Sequence, residues 1–300
     1  MTQIDYQILI DAETWAFIDR TNDFFPPNSA SLAVSDQRAL YDKMCAAFQK
    51  LYPETVTSVD IVGKVPLRIY ETSSINGTLV YFHGGGFVVG GLHSHDDVCA
   101  EICERTRLRV VSVDYRLAPE HKHPAAFDDA LAATLWVAER YGDVLLAGDS
   151  AGGNLAASVA HALRGRPINL LGVILIYPGL GGDSDSASMT HHANAPMLSR
   201  EDVLSYAVLR GGNTTDPAVN PLKDVDFSGL PPTWVFAAEC DPLADDGRDY
   251  VQKLQNAGCH AQFQLDLGLV HGWLRARHSV LRAKTAFARI IDVLNAVRRT

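Results

Sequence analysis

The 300-residue sequence contains no apolar run of about 18 residues, the length a membrane-spanning helix needs, so stable membrane insertion is not expected. It has no surplus of basic residues. Thirty-five acidic against 26 basic side chains give a formal net charge of -9. A field of that sign repels phosphate backbones, so nucleic acid is not an expected partner. Cysteine is scarce: there are five residues and no CxxC pair, hence no zinc signature and no disulfide framework. Cys99 and Cys103, four apart, are expected on one helix face as reduced core thiols. A reducing, cytoplasmic compartment is the corresponding expectation. Met1 to Arg20 carries Asp5, Asp11, Glu13 and Asp19 where a secretory signal would place a basic and then an apolar region, so no such signal is expected. Internal repeats and low-complexity tracts are absent.

What the sequence does have is a globular balance, 47% hydrophobic and 20% charged, in a chain long enough to bury a large core. The first fifty residues read as two helices. The first carries Ile8, Leu9, Trp15 and Ile18, and Phe24-Phe25-Pro26-Pro27-Asn28 breaks the pattern. A second helix starts at Ser35-Asp36 and runs to about Lys50. Val59, Ile61, Val65, Leu67 and Ile69 occupy odd positions around Gly63-Lys64 and predict an antiparallel strand pair. Short apolar runs follow at Leu79–Phe82, Arg109–Val113, Val144–Ala147, Val173–Tyr177, Thr233–Ala238 and Ala261–Leu265. Helical patterns at His95–Arg105, Ala125–Arg140, Asn154–Leu163 and Leu243–Ala257 lie between most of them, and a last helix spans about Ser279 to Val297. Continuous apolar strands alternating with helices predict an α/β fold with a mostly parallel sheet covered on both faces. One stretch, from Gly181-Gly182 to Pro221, interrupts the alternation and holds a helix candidate at Arg200–Leu209. It reads as an insertion above the carboxyl ends of the strands, where open α/β sheets bind ligands.

Gly148-Asp149-Ser150-Ala151-Gly152 fits G-x-S-x-G between a predicted strand and a predicted helix. The glycines permit a sharp turn that lifts the serine hydroxyl above the sheet. The segment lacks the lysine and the spacing of phosphate-binding loops. A serine nucleophile needs a base, and the base needs an orienting acid. On such a sheet they follow in the order acid, then histidine. Asp241 follows the Thr233–Ala238 strand and His271 follows Ala261–Leu265, which gives a Ser150, Asp241 and His271 triad. Asp245 and Asp246 read as support for the first turn of the next helix, where negative charge is favoured. Asp149 is expected to point sideways, and His260 and His278 to be surface or packing residues. His83-Gly84-Gly85-Gly86 ends the Leu79–Phe82 strand, and its bare backbone N–H groups can face a developing oxyanion.

Together these segments resemble the hormone-sensitive-lipase-like branch of the α/β-hydrolases, the branch with aspartate before the nucleophile. The resemblance covers about Leu79 to Trp273. It rests on His83 to Phe87, Asp114-Tyr115-Arg116-Leu117-Ala118-Pro119-Glu120, Gly148 to Asn154, Asp241 to Asp245 and His271-Gly272. It implies an α/β-hydrolase fold and oxyanion donors at the N–H groups of Gly85, Gly86 and Ala151. It also implies structural support of the site by His83, Gly84 and Asp149. A cap is implied over the core, built from residues 1–50 and 183–221, with 51–182 and 222–300 forming the core. The implied activity is a carboxylesterase acting on short to medium acyl esters, with no cofactor and no metal, and homodimers are common in the branch. An amidase, deacetylase or formamidase on the same triad, an interfacial lipase, and a non-catalytic binding protein on the same fold are the alternatives. Trp273, where phenylalanine is usual, implies a narrower mouth. Cys240, beside the acid, is expected as a buried thiol. His93-Ser94-His95-Asp96-Asp97 has the look of a metal site without a second ligand cluster, and no metal is expected there. His191-His192 is expected as an exposed cap feature. Trp15, Phe24 and Phe25 are candidates for lining an acyl pocket.

Overall fold

The computed structural model describes residues 4–26, 29 and 32–297, so Pro27 and Asn28 of the predicted break lie outside the described residues. Three helices open the chain: α1 (Tyr6–Leu9), α2 (Ala12–Asn22) and α3 (Val34–Phe48). The first predicted helix is thus two. Ile10 leaves helical geometry, and the Asp11 side chain caps a new start by accepting the N–H of Thr14. The α3 helix starts one residue before Ser35, with Ala33 as a cap that makes no side-chain bond.

The sheet strands are β1 (Thr57–Ile61), β2 (Leu67–Glu71), β3 (Thr78–Phe82), β4 (Arg109–Val113), β5 (Val144–Asp149), β6 (Leu170–Ile176), β7 (Thr233–Cys240) and β8 (Ala261–Val270). They lie in the order β1-β2-β4-β3-β5-β6-β7-β8. The β1/β2 and β2/β4 pairs are antiparallel and the rest are parallel. The connecting helices are α4 (Asp96–Thr106), α5 (Ala125–Tyr141), α6 (Ala151–Leu163), α9 (Ala244–Asn256) and α10 (Leu281–Val297). Between β6 and β7 lie α7 (Ala187–His191) and α8 (Arg200–Arg210). This is the α/β-hydrolase architecture.

Side chains of a strand alternate between faces, and β3 shows it. Leu79 and Tyr81 join a core that includes residues of α4 and α10 and, beside them, α2 and α3. Val80 and Phe82 join the opposite core, with residues of α5, α6 and α9. The β1 strand is an outer edge, so Val59 stays exposed despite its place in the odd-numbered apolar series. Cys99 and Cys103 are buried thiols of α4. The strands β3, β5, β6, β7 and β8 run parallel, and their carboxyl ends face one large cavity.

Candidate active site

The position of Ser150 is made by close contact between β5, α6 and β3. A Cβ added to Gly152 would come 1.9 Å from the carbonyl oxygen of Phe82, so only glycine lets α6 start this near β3. The turn forces Ser150 to φ 54°, ψ -117°, a conformation side chains rarely adopt. The Ser150 N–H donates to the Ile176 carbonyl on the neighbouring strand at 2.9 Å. Its hydroxyl stands at the amino end of α6, where the helix presents its positive pole.

Asp241 follows the last residue of β7 and His271 follows that of β8. Ser150 Oγ lies 2.8 Å from His271 Nε2, and Asp241 Oδ2 lies 2.7 Å from His271 Nδ1. Asp241 is buried, and its other oxygen accepts the N–H of Leu243 at 2.8 Å. The carboxylate therefore holds Nδ1–H and turns Nε2, as acceptor, toward the serine. Tyr177 packs on the imidazole, ring centroids 4.8 Å apart. Burial raises the pKa of the Tyr177 phenol, and it stays neutral there.

Opposite Ser150, Asp241 and His271, Gly85 and Gly86 follow β3. Among the described residues the N–H groups of Gly85, Gly86 and Ala151 donate to no carbonyl or side chain. All three residues line the cavity that Ser150 and His271 also line. Three unspent donors beside an aligned serine can take charge on a carbonyl oxygen.

The glycine loop is held from behind. His83 is fully buried, and burial takes its pKa down to about 3, so the ring is neutral. Its Nδ1–H donates to the Gly84 carbonyl at 2.8 Å, and it stacks on Tyr115 at 4.2 Å. Tyr115 donates in turn to the His83 carbonyl at 2.6 Å, which gives the Asp114–Glu120 run its place behind the site. Asp149 does point sideways. Its Oδ1 accepts the Tyr81 hydroxyl at 2.8 Å and the Gly84 N–H at 3.0 Å. Its Oδ2 lies 3.2 Å from His95 Nε2 and accepts the Tyr177 hydroxyl at 3.4 Å.

The expectations for Trp273, His192, Phe24 and Trp15 are corrected. Trp273 does not narrow the mouth: it is wholly buried, edge-on to Tyr177 at 5.7 Å, and the cavity is lined by Gly272 and Leu274 instead. Asp245 and Asp246 do lie in the first turn of α9, but they also hold the insertion. Asp246 accepts the N–H groups of Leu180 and Gly182, and Asp245 accepts that of Ser188. His192 is half-buried against Tyr6, whose hydroxyl lies 3.2 Å from its Nδ1. Phe25 lines the cavity, whereas Phe24 packs near Phe48 and Trp15 against the core. His278 lies 3.0 Å from Glu101, and the His260 ring packs by Trp234. Cys240 is buried, and burial pushes its thiol up to about 12. His95 and Asp96 turn to different partners, Asp149 and the Arg68, Tyr52 and Tyr70 side chains. Tyr81, Tyr177, Tyr206, Arg210 and Arg275 belong to no local motif and reach the site or its supports only through the fold.

Residues 79–275 match the model of a family with the alpha/beta hydrolase fold. The carboxylesterase NlhH of Mycobacterium tuberculosis is 37% identical over 260 residues, 80% of this chain and 81% of its own length. A solved esterase of the bacterial hormone-sensitive lipase family superposes with a TM-score of 0.87 at 28% identity, covering 96% of this chain and 99% of its own. An esterase of Pyrobaculum calidifontis does so with a TM-score of 0.85 at 29% identity, covering 96% and 98%. The chain belongs to the α/β-hydrolase family. Within it, its place is among the hormone-sensitive-lipase-like carboxylesterases, which are ester-hydrolysing enzymes. Among the described residues no helix is long and apolar enough to cross a membrane.

Proposed function

We propose that this chain is a carboxylesterase that works through an acyl-enzyme on Ser150. The observation that carries the reading is the unbroken relay of 2.7 Å and 2.8 Å from Asp241 through His271 to Ser150. It stands beside the unspent N–H groups of Gly85, Gly86 and Ala151. His271 Nε2 takes the hydroxyl proton as Ser150 Oγ attacks the ester carbonyl. The carbonyl oxygen becomes an oxyanion facing the three N–H groups, and Asp241 stabilises the imidazolium. His271 then gives that proton to the leaving alcohol. A water, deprotonated by the same nitrogen, attacks the acyl-serine and releases the acid.

The cavity, of about 1190 Å³, is lined by Phe25, Met44, Met197, Leu198 and Leu243 among others. Its size and apolar walls suit short to medium acyl chains with room for the alcohol. We assign the cap to the N-terminal helices and the segment at 183–221, because Thr21, Tyr41, Met44, Leu198 and Tyr206 from these parts line the same cavity as Ser150. A reducing compartment fits the buried thiols of Cys45, Cys99, Cys103 and Cys240, none of them in a disulfide.

The test is hydrolysis of p-nitrophenyl acetate, butyrate, octanoate and palmitate by the wild type and by Ser150→Ala. Turnover that falls beyond octanoate and is abolished by the substitution supports the reading. A palmitate optimum would make this a lipase. No ester turnover by the folded wild type would sink it.

A further inference from the structure

The α8 helix of the insertion rests on the glycine loop through two side chains one turn apart. A Cβ added to Gly86 would come 2.5 Å from Tyr206 Cδ1, so the tyrosine ring covers that glycine directly. Arg210, the last residue of α8, lays its guanidinium over the Phe87 ring at 3.8 Å. Phe87 follows Gly86 in the chain and holds φ 65°, an uncommon backbone state for a bulky residue that its surroundings must maintain.

The other edge of Arg210 reaches the nucleophile helix. It donates to Asn154 Oδ1 at 3.1 Å and to the carbonyls of Val219 at 2.8 Å and Ala218 at 3.3 Å. Asn154 stands one turn after Ser150, and its N–H donates to the Ser150 carbonyl. Its side-chain nitrogen donates to Gly179 before the insertion, at 2.7 Å, and to Val219 near its end, at 3.0 Å. Both ends of the insertion thus converge on Asn154. Arg210 is buried, and its described hydrogen bonds all go to neutral oxygens, with the charge of Asp216 acting on it from beyond hydrogen-bond range. A desolvated cation is costly, and simple anchoring could use a neutral side chain. The Arg210 fork stacks with one face while donating along its edge through two nitrogens; lysine has no planar face, and glutamine has one donor nitrogen and no charge.

We propose that Arg210 is a positioning residue for the oxyanion donors, clamping the Gly85-Gly86-Phe87 loop to the Ser150 helix through the docked insertion. This inference rests on the proposed esterase mechanism. It adds that the insertion, besides covering the cavity, sets the geometry of the chemistry, so that undocking it disables the loop.

The experiment measures kcat and KM on p-nitrophenyl butyrate, with kcat expressed per Ser150 titrated by a fluorophosphonate so that misfolded protein is not counted. Arg210→Gln is expected to lower kcat per site about 10- to 100-fold, within the range for a displaced oxyanion donor, with KM changed less than about threefold. Arg210→Lys is expected to stay low, because one ammonium cannot both stack on Phe87 and reach Asn154 and Val219. Should Arg210→Gln fold poorly, Phe87→Leu removes the stacking face alone and is expected to lower kcat less. In the double variant the two losses should fail to multiply by about threefold or more. Wild-type kcat per site in folded Arg210→Gln, full rescue by lysine, or losses that simply multiply would each overturn the clamp. Turnover retained by Ser150→Ala in the same assay would instead overturn the esterase mechanism, and the clamp with it.

Discussion

Asp149 Oδ1 accepts the backbone N–H of Gly84 at 3.0 Å, so the residue before Ser150 holds the loop that faces it. Burial works to raise the pKa of this carboxyl. The charge and hydrogen bond of His95 and the hydroxyl of Tyr81 outweigh it and hold the carboxyl well below its usual range. A folded-state pKa below the unfolded one adds stability above about pH 4, and that stability is lost as pH falls below it. Asp149→Asn is expected to cost about 3 kcal/mol at pH 7, the scale for breaking a buried pair. It should also flatten the acid limb of the stability curve below about pH 4. Urea unfolding of both proteins from pH 7 downward measures the two effects, and parallel acid limbs would refute the assignment.

Asp246 works in the opposite sense. Burial pushes its pKa up to about 6, against the lowering effect of the Leu180 and Gly182 amides. The folded state then holds its proton more tightly than the unfolded chain, so this group makes stability fall as pH rises from about 4 to 6. Asp266 is raised to the same range, also by burial, so the wild-type curve contains both groups. The difference between wild type and Asp246→Asn isolates one of them. The variant is expected to lack a slope of up to about 1.4 kcal/mol per pH unit in that window. Equal slopes in the two proteins would show that Asp246 is not held protonated in the fold.

The core architecture and the three positions of the proposed triad are legible in the sequence because each sits in a local pattern: an apolar run, then a characteristic residue at its end. The insertion's anchors are not. Asp245 and Asp246 look like ordinary first-turn acids, and that role is real. Their bonds to Ser188 and Leu180 span 57 and 66 residues and leave no periodic trace. Arg210 likewise has the ordinary look of a basic residue in a last helical turn. Trp273, where the family usually has phenylalanine, implies a narrower mouth, yet the chain turns at Gly272 with φ 76° and sends the indole into the core. Local signals identify what a segment is, and long-range packing decides which way its side chains face.

The proposed triad predicts a graded series. Ser150→Ala removes the nucleophile and should leave no measurable acyl-enzyme. Asp241→Asn keeps the shape but offers the wrong partner to His271 Nδ1, and kcat is expected to fall about 10⁴-fold with KM little changed. Steady-state assays with mass spectrometry of the trapped acyl-enzyme check both. A loss of less than tenfold in Asp241→Asn would remove Asp241 from its orienting role.

Two glycine substitutions separate folding from catalysis. In Gly152→Ala the new methyl, fixed rigidly to the helix backbone, would meet the backbone carbonyl of Phe82 at 1.9 Å, so neither side can yield. That variant is expected to be insoluble or to unfold at far lower temperature. In Gly86→Ala the methyl meets a side chain, the Tyr206 ring at 2.5 Å, and φ of 60° is tolerable though unfavourable for alanine. The fold should survive while the donor is displaced, with kcat down about 10²-fold. Removing the obstructing ring in Gly86→Ala/Tyr206→Ala gives the loop room to relax, and part of that loss should return. If the double variant is as inactive as the single one, the backbone strain at residue 86 rather than the ring disables the site. Circular dichroism, thermal melts and p-nitrophenyl butyrate turnover on the three variants decide between these outcomes.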